Sequence, residues 1–308
     1  MDIFYFLIFP GFFFAALVGL VFTWVDRKVT ARLQWRVGPP FLQPFYDFGK
    51  LMIKEITIPE RGEKFSFLLA PFLGLLATAL VATILGLAVI VPTSGFVGDL
   101  IVVLYLLIIP ALAVIIGGFA SANPLASIGA SREMKLVMGY ELPFILAILV
   151  PVIKSDFSVK INQILFFQQQ NGANIWSLSG FIAFLVCLLA VQAKLSFAPF
   201  DIAEAETELM GGPLLEYSGP KLALFKYAQM SKLVVYSGLF VALFVPWGSG
   251  LAFPWGWLLF WGKVSVLVVL VTLVAATHAR YRIDQAIRYF ATLLAVALGA
   301  LLLASYGL

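Results

Sequence analysis

The stretch "IFYFLIFPGFFFAALVGLVFTW", which runs from Ile3 to Trp24, indicates the class of fold by itself. It has 22 residues without a charged side chain, and about 20 apolar residues are enough for a helix to cross a bilayer. The run is longer than the apolar core of a secretory signal, and the two residues before it, Met1 and Asp2, are not basic. We therefore predict a retained transmembrane helix.

The rest of the chain has the same apolar character. Of its 308 residues, 62% are hydrophobic and 12% are charged, with a mean hydropathy of +1.02. Soluble domains are about half apolar and a quarter charged. We expect an all-α integral membrane protein that forms a single membrane domain over residues 1–308. The net charge of +4 does not indicate a nucleic-acid partner, because the basic residues follow membrane topology.

Eight segments have the length and apolarity of membrane spans. They lie at about 3–24, 67–91, 100–120, 137–153, 176–193, 233–250, 254–277 and 289–308. The fourth is the least regular, because it contains Glu141 and prolines at 143 and 151. Neighbouring helices can satisfy the backbone groups that such prolines free. We predict an acidic loop over about 194–232, between the fifth and sixth spans.

Lysine and arginine residues indicate the orientation in the membrane. Seventeen of them fall in the connections on one side of the predicted spans, and two, Lys154 and Lys160, fall on the other side. An excess of Lys and Arg marks the cytoplasmic side. We predict a multi-pass protein of the cell membrane, with the long charged loops in the cytoplasm and both termini outside.

The first charged connection contains the segment "QPFYDFGKLMIKEITIP", from Gln43 to Pro59. Its apolar side chains recur at helical spacing, and charged side chains, among them Lys50 and Lys54, occupy another face. This pattern predicts an amphipathic helix over about 43–57 that lies along the membrane surface. One interpretation is a simple surface helix. The other is a strut that ties the spans together or docks a partner subunit.

The segment "FAPFDIAEAETELMGGPLLEYSG", from Phe197 to Gly219, concentrates negative charge. It holds five of the sixteen acidic residues and no Lys or Arg. After a break at Pro199 we predict a helix capped by Asp201. The five acidic residues are Asp201, Glu204, Glu206, Glu208 and Glu216.

Two interpretations of this acidic segment remain open. A run of carboxylates is often a solvated loop. Apolar residues flank this one, however, and Glu141 lies within a predicted span, where a carboxylate is a candidate functional group. Carboxylates crowded in a medium of low dielectric constant raise one another's pKa. The second interpretation is therefore the mouth of a proton path formed by Glu141 and the acidic segment.

Two basic segments flank the predicted spans. The first, "DRKVTARLQWRVGPP" from Asp26 to Pro40, is typical of a topology determinant or a site for anionic lipid headgroups. The second, "THARYRIDQAIR" from Thr277 to Arg288, has the pattern of an ion-pair set at the membrane surface. Their candidate site residues are Arg27, Arg36, Arg280, Arg282 and Asp284.

The content of soft metal ligands limits the chemistry of the chain. It has one cysteine, Cys187, and one histidine, His278. One thiolate cannot hold an iron–sulfur cluster or a structural zinc ion. We therefore expect no catalytic residue, no metal and no cofactor in this chain, and we expect electron transfer to occur in partner subunits.

Together these segments resemble one known family. The matching segments are "DRKVTARLQWRVGPP", "QPFYDFGKLMIKE", "LASIGASREMKLVMGYELP", "FAPFDIAEAETELMGGPLLEYSG" and "ARYRIDQAIR". They are similar to the membrane subunit of respiratory complex I, called subunit 1 or H, and to its relatives in energy-converting hydrogenases. The resemblance covers essentially the whole chain. It implies a subunit that anchors a peripheral redox arm and couples it to ion translocation by antiporter-like membrane subunits.

The resemblance also implies roles for individual residues. Glu204, Glu206, Glu208 and Glu216 would line or approach a coupling chamber. Glu141 would begin a polar path towards neighbouring subunits. Arg27, Arg36, Arg280 and Arg282 would shape the cytoplasmic mouth.

A local departure distinguishes branches of the family. Quinone-reducing members have an aromatic residue and a threonine before EYSG, as in GYNTEYSG, whereas this chain has "GGPLLEYSG" with Gly212 and Pro213. The run resembles the M subunit of archaeal membrane-bound [NiFe] hydrogenases. That resemblance implies hydrogenase large and small subunits and an iron–sulfur subunit as partners, which would carry the [NiFe] centre and the iron–sulfur clusters.

Four alternatives remain at this point. They are the quinone-binding membrane subunit of a complex I, the equivalent subunit of a sulfur reductase, a free-standing secondary transporter, and a scaffold without an ion path. The transporter alternative predicts a pair of broken helices in matching halves of the chain, and we find no such symmetry in the sequence.

Overall fold

A computed structural model describes residues 3–90, 95–248 and 255–307. The described residues form helices joined by turns and loops, with no strand among them. This confirms the all-α membrane fold. The predicted span ends at residues 91, 249–250, 254 and 308 lie outside the described residues.

The thirteen α-helices of the described segments follow one another with short connections. Their bounds are α1 Ile3–Leu7, α2 Phe12–Leu33, α3 Gln43–Ile53, α4 Lys64–Ile90, α5 Asp99–Leu106, α6 Ile109–Ala120, α7 Pro124–Lys154, α8 Ile161–Asn171, α9 Leu178–Lys194, α10 Glu206–Leu209, α11 Gly219–Phe244, α12 Trp255–Thr277 and α13 Ile283–Ser305. Short 3₁₀ turns occur at Asn174–Trp176 and Gly212–Leu214.

Seven helical stretches of the described chain are long and apolar enough to cross a membrane. The pairs α1–α2 and α5–α6 each count as one stretch. The predicted span at 176–193 corresponds to α9, an apolar helix of 17 residues. This helix is shorter than the other spans because the chain turns into the acidic segment after Lys194.

Two predicted span starts differ from the structure by more than ten residues. The fourth predicted span is the second half of α7, a helix of 31 residues that begins at Pro124. The sixth begins 14 residues earlier than predicted, at Gly219. In both cases the helix continues through charged residues that suggested a loop, because tertiary packing buries some of those residues inside the bundle.

Helix α7 lies at the centre of the bundle and packs against α6, α9 and α13. Helix α11 packs against α2, α4 and α12, and α4 also packs against α6. The fully buried rings of Phe144, Phe244 and Phe290 belong to this core. The bundle has two ends. We call the one with the acidic segment the loop end and the other the far end.

The basic connections converge at the loop end. Glu63 donates its backbone N–H to the carbonyl of Ala120 at 2.9 Å. Thr57 donates its backbone N–H to Ser218 Oγ at 3.0 Å. These contacts join the connection before α4 to the end of α6 and the start of α11. The first connection, the end of α6 and the start of α11 therefore meet at the same end of the bundle.

The surface helix α3 is shorter than predicted. It ends at Ile53, and Lys54 has an extended backbone conformation. The chain leaves the helix here because residues 55–57 bind Ser218, which donates its hydroxyl to the carbonyl of Glu55. Phe48 of α3 lies beside Tyr227 of α11, with 6.0 Å between ring centroids. The helix is thus attached to the bundle, as the strut interpretation requires.

The prediction of a helix after Pro199 is wrong for most of the segment. Residues 201–204 form turns, and α10 contains four residues. Asp201 therefore does not cap a helix. The acidic segment instead folds back into the bundle. At Gly212, with φ of +59°, an added Cβ would lie 1.9 Å from the carbonyl oxygen of Ala203, so the turn requires glycine.

Candidate functional site

Two aromatic side chains fix the ends of the acidic segment. Phe200 is buried and stacks on Phe290 of α13, with 5.0 Å between ring centroids. Tyr217 stacks on Phe67 of α4 at 4.1 Å and donates its hydroxyl to the Phe67 carbonyl at 2.9 Å. Aromatic packing of this kind adds about 0.5–1.5 kcal/mol per pair beyond area burial. The acidic segment is therefore part of the folded bundle.

Small residues let the middle of the segment approach the helices closely. A Cβ at Gly129 of α7 would lie 2.7 Å from Cδ of Pro213, and one at Gly118 of α6 would lie 3.0 Å from Cβ of the same proline. A Cβ at Gly117 would lie 2.5 Å from the Tyr217 hydroxyl. The "GGPL" run therefore packs in the groove between α6 and α7.

Arginines from other parts of the chain neutralise two of the acidic residues. Arg280 donates to both oxygens of Asp201, at 2.7 and 2.6 Å. Arg132 donates to Glu208 at 2.6 Å. The sequence suggested an ion-pair set between Arg280 and Asp284, but Asp201 is the partner that the structure gives to Arg280. The segment lacks basic residues of its own because these come from α7 and from the connection between α12 and α13.

The contact with Arg132 also corrects the expectation about charge at Glu208. Mutual repulsion of crowded carboxylates was expected to raise their pKa values. The hydrogen bond and the charge of Arg132 instead hold the pKa of Glu208 below its ordinary value. The hydrogen bond to Asp201 raises the pKa of Arg280 further. Two carboxylates at the rim of the acidic segment, Asp201 and Glu208, are therefore ion-paired with arginines.

The other predicted rim residues occupy different surroundings. Glu216 accepts a hydrogen bond from Asn123 Nδ2 at 2.6 Å, which fixes the start of α7. Glu206 is exposed on α10. Arg282 is exposed and donates its backbone N–H to Gln285 Oε1 at the start of α13, and Asp284 is exposed in the first turn of that helix.

The predicted docking residues of the first connection lie on its surface. Arg27 of α2 donates to Asp47 of α3 at 2.6 Å, which joins the two helices. Arg36, Lys50 and Lys54 are exposed. The loop end therefore presents basic side chains from the first connection and acidic side chains from the acidic segment.

Beneath this surface lies a buried ion pair. The ammonium group of Lys194, at the end of α9, binds Glu141 Oε2 in the middle of α7. The side chains are 1% and 13% exposed, respectively. The Lys194 Nζ also lies 4.3 Å from the centroid of the Phe144 ring, a geometry in which the ring face attracts a cation. Glu141 Oε1 is buried without a hydrogen-bond partner among the described residues.

A second buried pair connects this site to the acidic segment. Glu133 of α7 and Lys232 of α11 are 5% and 7% exposed and attract each other electrostatically. Both also interact with the charge of Glu204 in the acidic segment. Lys232 donates to the backbone carbonyl of Lys194 at 3.3 Å. We call Glu204, Glu133, Lys232, Lys194 and Glu141 the buried charged row.

The sequence-based prediction missed three members of this row. Lys194 and Lys232 were counted among the basic residues of cytoplasmic loops, and Glu133 was placed in a connection. One signal was available. Glu133 precedes Glu141 by eight residues, which places the two side chains within a quarter turn of each other on one helix. The lysines gave no comparable signal, because their burial depends on where the acidic segment folds.

The space inside the row is small. A cavity of about 20 Å³ borders Glu133, Glu204 and Lys232, which is enough for a water-sized molecule but far below the 300–1,000 Å³ of typical small-molecule sites. The described residues contain no cluster of three or more His, Cys, Asp or Glu side chains placed to hold a metal ion. The cavity beside the row therefore has room for a water molecule but not for a small-molecule ligand.

Comparison with known proteins identifies the family. The sequence model of the NADH dehydrogenase family matches residues 6–305. A subunit of the NADH-quinone oxidoreductase of Geobacter metallireducens is 33% identical, over 90% of this chain and 87% of that protein. Hydrogenase-4 component C of Escherichia coli is 35% identical, over 84% of this chain and 81% of that protein.

The fold comparison agrees with the sequence comparison. A chain of the membrane-bound sulfane sulfur reductase, an archaeal respiratory membrane complex, superposes with a TM-score of 0.84 at 26% identity. The match covers 94% of this chain and 96% of that one. The chain therefore belongs to the NADH dehydrogenase family, which confirms the resemblance inferred from its motifs.

Replacing Lys194 with methionine is expected to destabilise the bundle. The substitution leaves the Glu141 carboxylate buried without its cation, and breaking a buried ion pair costs about 3–5 kcal/mol. The double variant Glu141→Gln/Lys194→Met is expected to recover most of this loss, because it removes both charges. Thermal unfolding in detergent measures the effect, with Lys135→Met on the exposed face of α7 as the control. Equal losses in the single and double variants would contradict the importance of the pair.

Acid is expected to loosen the acidic segment at Glu208. Because the pKa of Glu208 is lowered from 4.5 in the folded state, its ion pair stabilises that state above pH 4.5, and this stabilisation is lost as the pH falls through the lowered pKa. Hydrogen exchange of residues 201–216, corrected for intrinsic rates, is expected to rise below pH 4.5.

The matched pair of variants for this measurement is Glu208→Gln and Glu206→Gln. The first is expected to exchange faster already at neutral pH, with a weaker response to acid. The second replaces an exposed acid on the same short helix and is expected to keep the wild-type profile. Identical profiles for the two variants would show that the pair with Arg132 does not hold the segment.

Proposed function

We propose that this member of the NADH dehydrogenase family is the membrane anchor and coupling subunit of a multisubunit, ion-translocating respiratory complex. Its role is to join a peripheral redox module to proton or sodium translocation in the membrane. The subunit is non-catalytic. Among complexes of this kind we favour a membrane-bound [NiFe] hydrogenase.

The observation that carries this proposal is the buried charged row. It runs from Glu204 in the acidic segment to Glu141 inside the bundle, and it combines carboxylates with ammonium groups. A charge that changes at the loop end alters the electrostatic energy of each member in turn, because interactions are strong in a medium of low dielectric constant. Glu141 Oε1 has no hydrogen-bond partner in the described structure and is available to accept a proton.

The loop end supplies the docking surface for the redox module. It combines exposed Arg36, Lys50 and Lys54 with exposed Glu206 and Asp284, so it offers both charge signs to a partner. We propose the hydrogenase large and small subunits and an iron–sulfur subunit as the partners at this surface. They would carry the [NiFe] centre and the clusters, and antiporter-like subunits would lie beside the bundle.

The same arrangement gives an orientation. We place the loop end in the cytoplasm of a cell membrane and both chain termini on the outer side, because Lys and Arg accumulate at the loop end.

The quinone-binding membrane subunit of a complex I is the second candidate function. The names of several relatives, which are subunits of NADH-quinone oxidoreductases, favour it. The cavity of about 20 Å³ beneath the acidic segment argues against a quinone ring bound there within this chain, and the "GGPL" run fills the groove between α6 and α7. A sulfur-reducing complex is a third candidate, favoured by the matching fold of the sulfane sulfur reductase chain.

The metal and acceptor content of the intact complex distinguishes these candidates. We expect the chain, tagged in its own cells and solubilised gently, to co-purify with subunits that contain nickel and iron and evolve hydrogen. Iron without nickel, with bound quinone or with sulfur reduction, would move the assignment to the second or third candidate. A chain that purified alone and moved ions would be a transporter, and the proposal would fail.

Neutral replacements along the proposed path test coupling. Glu141→Gln and Glu204→Gln, made singly in the buried charged row, are each expected to lower the number of ions moved per electron transferred while the complex still assembles. Removing a positioned proton acceptor typically slows proton transfer by about 10²–10⁴-fold. Ion uptake into vesicles and electron transfer are measured on the same preparation, with Glu60→Gln in the exposed first connection as the control. Full ion pumping in both variants would contradict the proposed path and would mean that the chain is a scaffold without an ion path.

A further inference from the structure

Two concave surfaces lie at the far end of the bundle, away from the acidic segment. The first is a cleft of about 560 Å³ between the ends of α4, α8, α11 and α12, and we call it the aromatic cleft. The second is a groove of about 570 Å³ along α12, facing α9 and α11, and we call it the apolar groove. Trp247 and Lys263 line both the aromatic cleft and the apolar groove, so the cleft and the groove adjoin each other at these two side chains.

The chemistry of the two surfaces differs. The aromatic cleft combines Phe166 and Trp257 with the amide groups of Gln163 and Gln169. The apolar groove is lined by aliphatic and aromatic side chains, and Lys263 is its one charged group among the described residues. A polar, aromatic mouth that continues into an apolar groove matches an amphipathic ligand.

Lys263 is in an unusual place for a cation. It lies eight residues after Trp255, the first residue of α12, which is about 12 Å along the helix. Its ammonium group reaches back to donate to the carbonyls of Val245 and Trp247, the first at 2.9 Å. Lysines near helix ends extend towards the interface in this way. An ammonium group has three N–H donors, and the described residues supply partners for two of those of Lys263.

We propose that the aromatic cleft and the apolar groove bind an anionic membrane phospholipid. The phosphate contacts Lys263, polar parts of the headgroup contact Gln163 and Gln169, and acyl chains occupy the apolar groove. Charge complementarity selects an anionic lipid, because the mouth presents a cation. The apolar groove runs along α12, a helix long and apolar enough to cross the membrane. Because the hydrocarbon core of a bilayer contains no water, we expect lipid to fill this groove. Trp247 and Trp176, which stack at 5.3 Å between centroids, have the typical position of interfacial aromatics.

The groove can be closed without disturbing the fold. Gly262 lines the apolar groove, and a Cβ built on it would meet nothing within 4 Å. Gly299 of α13 is equally open. The substitution Gly262→Phe therefore fills the groove, and Gly299→Phe adds the same side chain to another exposed helix face as the matched control.

The experiment compares lipid retention in the intact complex purified in mild detergent. Mass spectrometry of the extracted lipids is expected to find less anionic phospholipid per complex in Gly262→Phe and in Lys263→Met than in the wild type. Gly299→Phe and Lys160→Met, the latter at the start of α8 near the same end, are expected to retain the wild-type amount. Retention of the same amount in all four variants would overturn the proposal.

A thermal assay separates lipid binding from structural effects of Lys263. Adding phosphatidylglycerol to the delipidated complex is expected to raise the unfolding temperature of the wild type, with a smaller rise for phosphatidylcholine, because a ligand that binds the folded state stabilises it. Lys263→Met is expected to lose the difference between the two lipids. A variant that unfolds earlier but keeps that difference would mean that Lys263 only caps α11, which overturns the proposal. Release of a membrane subunit by Gly262→Phe, with unchanged lipid content, would also overturn it.

Discussion

The ion pair between Lys194 and Glu141 is the interaction on which the arrangement of this bundle depends. A charge inside a medium of low dielectric constant must be paired, because an isolated buried charge costs several kcal/mol. Lys194 can reach Glu141 because α9 ends beside the middle of α7, and α9 ends there because the chain turns into the acidic segment. One electrostatic requirement thus links the position of two helices to the path of the following loop.

The same requirement explains why the carboxylates are gathered in one segment. Arginines from distant parts of the chain bind Asp201 and Glu208, and Phe200 and Tyr217 fix the segment between α13 and α4. With both ends held, Glu204 lies over the buried pair of Glu133 and Lys232. The segment is therefore acidic at the surface, where it pairs with arginine, and acidic at its inner side, where it continues the buried charged row.

The two ends of the bundle have different chemistry and serve different neighbours. The loop end concentrates charge of both signs and suits protein partners that exchange electrons and protons. The far end concentrates tryptophan and apolar surface around Lys263 and suits lipid. Lys194 and Lys263 nevertheless follow one rule, since each has an oxygen partner. The partner of Lys194 is a carboxylate inside the bundle, and the partners of Lys263 are the carbonyls that follow α11 at the far end. A membrane protein places its charges where such partners exist.

The sequence by itself determined the membrane class, the all-α fold, most of the spans and the family, because long apolar runs and local motifs depend only on neighbouring residues. It also identified Glu141 and the acidic segment as candidates. The tertiary structure decided which charges are buried. Lys194 and Lys232 have the sequence surroundings of loop lysines, and the fold encloses them because Phe200, Tyr217 and the glycines of α6 and α7 draw the acidic segment inwards. Burial depends on contacts between residues far apart in the chain, which no local pattern contains.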